Sequence, residues 1–460
     1  MKRIRQKNYE MDMTTGPILM KMLRFSLPLM ASSLLQLLYN AADMVVVGQF
    51  AGPSALAAVG ATGAITSLLV TLFMGFSVGS SVAVAQHYGA DRHKDVSESV
   101  HTSVMLALVC GVVIGALGAI FAYPLLEMMS TPKDVIDGAA VYMRIYFIGL
   151  PATMLYNFCA AILRAIGDTK RPLYYLSIAG VINELLNLQF VIVFHMDVAG
   201  VALATAIAQV VSMALVMICL MRTTGSIHLD LRKVRFHGDK VKQIIKIGLP
   251  AGLQSSMFAI ANTLIQSSVN TFGSAIIAGN TTAGNIEAFV SSPQDSFCQA
   301  AMSFTSQNYG AKKYQRFGRI VATASGLVLT IGVTLGVLAA SFGKPLASIY
   351  TSDPMVIEWA AQRLWITTAT AFICNLDNVF GACQRALGSS VLPMVVSIVC
   401  ICMFRILWIE TIFRAIPTME VLYYVYPASW IFSLTVHAIC FFLYKKRIVA
   451  KLKAEELAAA

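Results

Sequence analysis

Stretches of about 20 apolar residues recur along the whole chain, each long enough to cross the hydrocarbon core of a bilayer as a helix. Twelve can be marked, at 22–47, 56–87, 99–122, 135–162, 173–194, 198–221, 245–271, 276–307, 319–342, 356–384, 391–411 and 421–444. The chain is 57% hydrophobic and 12% charged, where soluble domains are about a quarter charged. The expected fold class is an all-α polytopic membrane protein with twelve transmembrane helices. The basic N-terminus is followed by an apolar run too long for a signal peptide, so the first segment reads as a retained span.

An even number of spans places both termini on one side, and the basic residues choose the side. With the N-terminus in the cytoplasm, 28 of the 34 Lys+Arg fall in cytoplasmic regions. That count includes Arg24, Lys246 and Arg319 at the cytoplasmic ends of their spans; only Lys133, Lys344 and Arg414 fall in external loops, and Arg144, Arg363 and Arg405 lie further inside spans. This is the positive-inside pattern. The net charge of +11 is then topogenic and suits an anionic inner leaflet of the lipid bilayer, with no need of a nucleic acid. The nine cysteines lie mostly in apolar runs and form no CxxC pair, which suits packing.

The longest cytoplasmic connection, 222–244, separates an N-terminal lobe (1–221, six spans) from a C-terminal lobe (245–460, six spans). The halves repeat each other. "FSLPLMASSLLQLLYN" (25–40) matches "IGLPAGLQSSMFAIAN" (247–262) at an offset of 222. "QHYGADRHK" (86–94) matches "QNYGAKKYQ" (307–315), and "RAIGDTKRP" (164–172) matches "RALGSSVLP" (385–393), both at an offset of 221. Copies with an even number of spans share one orientation. The expected arrangement is two six-helix lobes about a pseudo-twofold axis along the membrane normal, with a substrate cavity between them. Gly89 and Gly310 are expected to end helices in the left-handed conformation, and Pro172 and Pro393 to open the next ones.

The residues "LPLMASSLLQLLYNAADMVVVGQFAGPSALAAVGAT", "AQHYGADR", "RAIGDTKRP" and "GVALATAIAQ", with their second-half echoes, resemble the multidrug and toxic compound extrusion (MATE) transporters over essentially the full length. The resemblance implies a bacterial inner-membrane exporter that expels small amphipathic, mostly cationic compounds in exchange for H+ or Na+. It also implies a cation site in the first lobe, built from an Asp on the first helix, an Asn-x-x-x-Asp pattern on the fifth and a Thr on the sixth. Asp43, Asn183 and Thr205 match. Asn187 stands where the family usually has the second Asp, although its carbonyl oxygen can still coordinate. Glu184 adds a carboxylate about 60° round the helix from Asn187. Asp43, Asn183, Asn187 and Thr205 thus form the Na+ set the resemblance implies, while the missing carboxylate favours H+.

The residues themselves carry a compatible logic. Gln36, Asn40 and Asp43 share one face of the first span at i, i+4, i+7. A charge at the bilayer centre costs about 2.5–3.5 kcal/mol on insertion scales, so Asp43 must face a cavity, find partners or take up a proton. One negative site competed for by an inorganic cation and a cationic substrate is antiport in electrostatic terms. Gln36, Asn40 and its repeat partner Asn262 are candidate cavity residues. So are the second-lobe acids Glu287, Asp295 and Asp377, of which Glu287 or Asp295 could instead pair with Arg405. In the repeat, Asp43 corresponds to Ile265, Glu184 to Arg405, Asn187 to Trp408 and Thr205 to Tyr426. Arg144 and Arg363 are expected to snorkel to the external interface, and His437 to be an interhelical hydrogen-bonding residue.

No P-loop, Rossmann glycine pattern or nucleophile elbow is present. The chain therefore reads as a secondary transporter rather than an enzyme, without a cofactor, acting as a monomer in the bacterial cytoplasmic membrane. The alternative is a flippase for a lipid-linked precursor, against which the scarcity of in-span basic residues argues.

Overall fold

The computed structural model describes residues 9–459 except Gly52, Ser130 and Asp134. Four basic residues of the topology argument, Lys2, Arg3, Arg5 and Lys7, lie outside the described residues. No strand occurs among the described residues. In lipid every backbone polar group must bond within its own segment, and the helix is the solution a single span can reach alone.

The first half comprises α1 (Ile18–Val46, continued by a π-helical turn Val47–Ala51), α2 (Pro53–Gly89), α3 (His93–Met128), α4 (Ile136–Ala165), α5 (Lys170–Leu188, continued by a π-helical turn Gln189–Val193) and α6 (Asp197–Arg222). The second comprises α7 (Gly238–Val269), α8 (Ser274–Gly310), α9 (Phe317–Ser341), the short α10 (Gly343–Ser348), α11 (Pro354–Ala386), α12 (Val391–Ser397), α13 (Phe404–Trp408) and α14 (Met419–Ala459). Two π-helical stretches, Ile398–Met403 and Ile409–Phe413, flank α13 and join α12 and α13 into one rod. The twelve spans expected from the sequence are therefore twelve helical rods. Ten have the length and apolar composition to cross a membrane. The other two, α8 and α11, are as long but carry Asn280, Glu287, Gln294 and Asp295 in one and Arg363, Asp377 and Arg385 in the other.

The chain forms two compact units. One takes Met1–Asp12 and Ala31–Gly252, the other Met13–Met30 and Leu253–Ala460. The division falls inside α1 and α7, in each case two residues beyond a helix-interior proline, Pro28 or Pro250. A proline there removes one backbone hydrogen bond and bends the rod.

Within the first unit α4 is the hub, packed on α2, α3 and α6. Phe147, Met154, Phe158 and Ile162 of α4 are all buried. Without a hydrophobic drive between helices in lipid, close backbone approach at small residues supplies the attraction. Gly111, Gly115 and Gly118 of α3 provide it: a Cβ on Gly115 would sit 2.5 Å from the Phe147 carbonyl oxygen. Within the second unit α11 is the hub, packed on α8, α9 and α14. A Cβ on Gly336 of α9 would sit 2.3 Å from the Thr368 carbonyl oxygen of α11. Gly111/Gly332 and Gly115/Gly336 are 221 apart, so the repeat extends to the contacts that set the helix spacing.

The repeat also fixes the turns. Gly167 and Gly388 both take φ +92°, a conformation glycine adopts without steric cost. Gly89 and Gly310 end α2 and α8 as expected, but the left-handed residue falls two positions later, at Asp91 and Lys312, both φ +56°. The helices run through their glycines, and the turn closes on the next residues. Pro172 and Pro393 sit in the first turns of α5 and α12. At the start of α11, Asp353 accepts from the Met355 amide at 2.8 Å ahead of Pro354, a cap with proline in the first helical position.

Gly115→Val and Gly336→Val should each destabilise the protein by about 1–3 kcal/mol through overpacking, read as a lower thermal midpoint of the detergent-purified chain. Gly326→Ala, with nothing within 4 Å of its added carbon, should leave the midpoint unchanged. Unchanged midpoints in both valine variants would contradict the packing account.

Candidate functional site

Asp43 lies on α1 four residues before the rod passes into its π-helical turn. Asn183 and Asn187 are one helical turn apart on α5, which also ends in a π-helical turn, and the two π turns lie against each other. Such turns recur at functional sites because they re-aim side chains without ending a helix. Tyr39 of α1 fixes the approach of the two helices. Its ring occupies the place a Cβ of Gly180 would fill, and its hydroxyl donates to the Ser177 carbonyl oxygen at 3.4 Å.

Both amides converge on one oxygen. Asn183 Nδ2 donates to Asp43 Oδ1 at 2.9 Å, and Asn187 Nδ2 donates to the same atom. Asn183 and Asn187 are buried, Asp43 half-buried. The carbonyl oxygens of both asparagines and Glu184 Oε1 are buried with no hydrogen-bond partner. Glu184 stands within electrostatic reach of Asp43, closer in effect than its 60° offset on the helix suggested. Uncommitted buried oxygens beside a carboxylate call for a donor or a cation to satisfy them. Among the described residues no three His, Cys, Asp or Glu are grouped to hold a metal ion.

The Thr205 hydroxyl donates to the Val201 carbonyl oxygen of its own helix at 3.0 Å, which leaves its lone pairs as acceptors. Gln36 and Asn40 are exposed. Tyr142 and Tyr146 of α4, stacked with ring centroids 6.3 Å apart, escaped the sequence reading, and Tyr142 lies within electrostatic reach of Asp43. Their one sequence signal is aromatic residues four apart on a span.

The second unit spends its acids differently. Arg363 does not snorkel. It is buried, with its guanidinium 2.6 Å from Glu287 and 2.8 Å from the Asn280 carbonyl oxygen. Asn280 and Glu287, two turns apart on one face of α8, draw it inward. Arg144, by contrast, is exposed. Asp377 is buried and accepts from Ser433 Oγ at 3.0 Å, while His437 Nδ1 bonds its other oxygen. His437 is thus the interhelical residue the sequence suggested, with Asp377 as its partner. Arg405 takes neither Glu287 nor Asp295; its NH1 donates to Asn262 Oδ1 at 2.7 Å. Of the three acids, Asp295 alone is exposed.

Removing one member of a buried ion pair leaves the other uncompensated. Glu287→Ala should therefore cost about 3 kcal/mol of stability, and adding Arg363→Ala should restore part of it, both read in thermal melts. A Glu287→Ala variant that melts like the wild type would contradict a structural role for the pair.

The comparisons with known proteins fit this architecture. A "Probable multidrug resistance protein YoeA" of Bacillus subtilis (strain 168) is 27% identical over 442 residues, covering 93% of this chain and 94% of that protein. An "FAD transporter" of Shewanella oneidensis is 23% identical, covering 84% and 86%. A crystal structure of MATE in the bent conformation superposes with a TM-score of 0.84 at 23% identity, covering 95% and 96%. The MatE family model matches residues 28–188 and 250–409, one stretch in each half of the repeat. The chain belongs to the MatE family of multi-pass membrane transporters.

Proposed function

We propose that the protein is a secondary active exporter that moves small amphipathic, mostly cationic compounds out across the cytoplasmic membrane by antiport and alternating access. Both termini lie in the cytoplasm, and one chain suffices. Asp43 is the coupling carboxylate, positioned by Asn183 and Asn187. The observation that carries the reading is the convergence of two amide N–H groups on one oxygen of an in-span carboxylate, with unpartnered buried oxygens around it. The name of the Bacillus relative supports multidrug compounds as cargo, and the concentration of Lys+Arg in one set of loops supports the orientation.

H+ is the first-choice coupling ion. A proton needs only the oxygen of Asp43 that the asparagines leave free. A Na+ ion bridging Asp43 and both asparagines would require the amides to turn their carbonyl oxygens toward it. Two cations that compete for one negative site exclude each other, and that exclusion is the coupling.

The test is dye efflux from proteoliposomes under an imposed pH or Na+ gradient. A pH gradient should drive export of a cationic dye, and Asp43→Asn should reduce the driven rate about 100-fold, a difference of about 2.7 kcal/mol, with protein level and thermal midpoint maintained. Export driven by Na+ alone would overturn the choice of ion. Undiminished driven export by Asp43→Asn would overturn the reading altogether. Asn187→Asp supplies the second carboxylate of the family pattern and should raise the response to a Na+ gradient, because paired carboxylates hold a hard cation better than one.

A further inference from the structure

The second unit contains a buried cation that no carboxylate among the described residues pairs with. Arg405 on α13 is 1% exposed, and among the described residues no carboxylate forms an ion pair with it. Its Nε donates to Ser429 Oγ at 3.2 Å and its NH1 to Asn262 Oδ1 at 2.7 Å, both neutral acceptors. Its NH2 is buried with no partner at all. The guanidinium is held between two rings, 4.8 Å from the Tyr426 centroid and 5.2 Å from that of Phe258. Arginine stays charged in such surroundings, and burying an unpaired charge costs several kcal/mol. Packing alone would be served as well by an apolar side chain.

The local backbone is built around this position. Arg405 sits in the single α-helical turn between two π-helical stretches. Arg363, on the far side of Tyr426 with its guanidinium 5.7 Å from that ring, already has Glu287. Asp377 is occupied by Ser433 and His437. Asp295, the third in-span acid of the unit, is exposed and forms no ion pair with Arg405 among the described residues. Its cover of Phe258, Asn262 and Tyr426 is half-buried, not sealed, so the guanidinium lies one side chain below an accessible surface. The repeat sharpens the contrast. Glu184, 221 residues earlier, is the equivalent residue and stands beside Asp43.

We propose that Arg405, with Asn262 and Tyr426, is an oxyanion-recognition site for an amphipathic molecule: one carrying a carboxylate, sulfonate or phosphate on an apolar body. The unpartnered Nη2 and the second N–H of Nη1 can donate to the two oxygens of such a group, and the flanking rings receive the apolar part. The inference deepens the export reading and rests on it, since it widens the cargo of the second unit from cations to zwitterions and anions.

Rhodamine B and its ethyl ester differ only in a free carboxylate, and the ester is the more apolar. Fluorescence polarisation at neutral pH gives the affinity of each for the purified full-length protein. The wild type should bind the acid about tenfold more tightly than the ester, against the trend of hydrophobicity. Arg405→Gln should abolish that preference by weakening acid binding, with the ester unchanged within about twofold. Arg405→Lys, which keeps the charge, covers the case in which the glutamine variant does not fold; it should retain part of the preference. Repeating the wild-type measurement in nanodiscs with and without phosphatidylglycerol assigns the source: competition by the lipid points to a headgroup, its absence to exported cargo, and either supports the site. A wild type without preference for the acid, or variants that weaken both dyes by the same factor, would overturn the proposal. Loss of gradient-driven ester export with the acid preference intact would instead refute the antiport reading alone.

Discussion

A carboxylate within a membrane helix is the constraint around which the first unit is organised. Asp43 interrupts an otherwise apolar rod, and its insertion is unfavourable unless groups on another helix answer it. α5 answers with two amides one turn apart, both aimed at a single oxygen. That requires α1 and α5 to meet in one register, which Tyr39 lodged against Gly180 secures. It also requires the side chains to be aimed by more than regular helix geometry, and each rod departs into a π-helical turn just beyond the site. No basic side chain forms an ion pair with Asp43 among the described residues, so under the proposed antiport the cluster is open to a cation.

The two halves share a scaffold and differ in what they bury. The glycines that set the contact of α3 with α4 recur at the same offset in the contact of α9 with α11. The left-handed turn residues recur as well. On that common frame the first unit holds a half-buried Asp43 against the buried Asn183 and Asn187, while the second buries Arg405 among Asn262, Ser429 and two rings. The two halves agree at the residues whose geometry the backbone dictates and differ in their buried polar groups. Polar groups in the second unit that could have served cargo, Glu287 and Asp377, are instead matched to Arg363 and His437 inside the protein.

Much of this was legible in the sequence because the bilayer imposes a length and a period. Twelve spans, the loop charges and the repeat follow from residue type and spacing alone. Asp43 stood out because a carboxylate in an apolar run is expensive. Its pairing with Asn183 and Asn187 came from the family resemblance, since no spacing rule says which helix faces which. A helical position does not give a side-chain direction, nor the residue on which a turn closes. Arg363 lies near a span end, where reaching outward is cheap, yet Asn280 and Glu287 on the neighbouring helix draw it in. Thr205 sits at the expected place but bonds its own backbone. Gly89 and Gly310 end their helices, but the left-handed turn falls on Asp91 and Lys312.

The central claim is that one negative site on the first unit is occupied by turns. The direct measurement is proton release when a cationic dye is added to the purified protein in weak buffer at neutral pH. The account predicts release of up to about one proton per dye molecule bound, and none from Asp43→Asn at matched dye occupancy. Full dye binding by the wild type with no proton release in Na+-free buffer, or equal release from the variant, would contradict it.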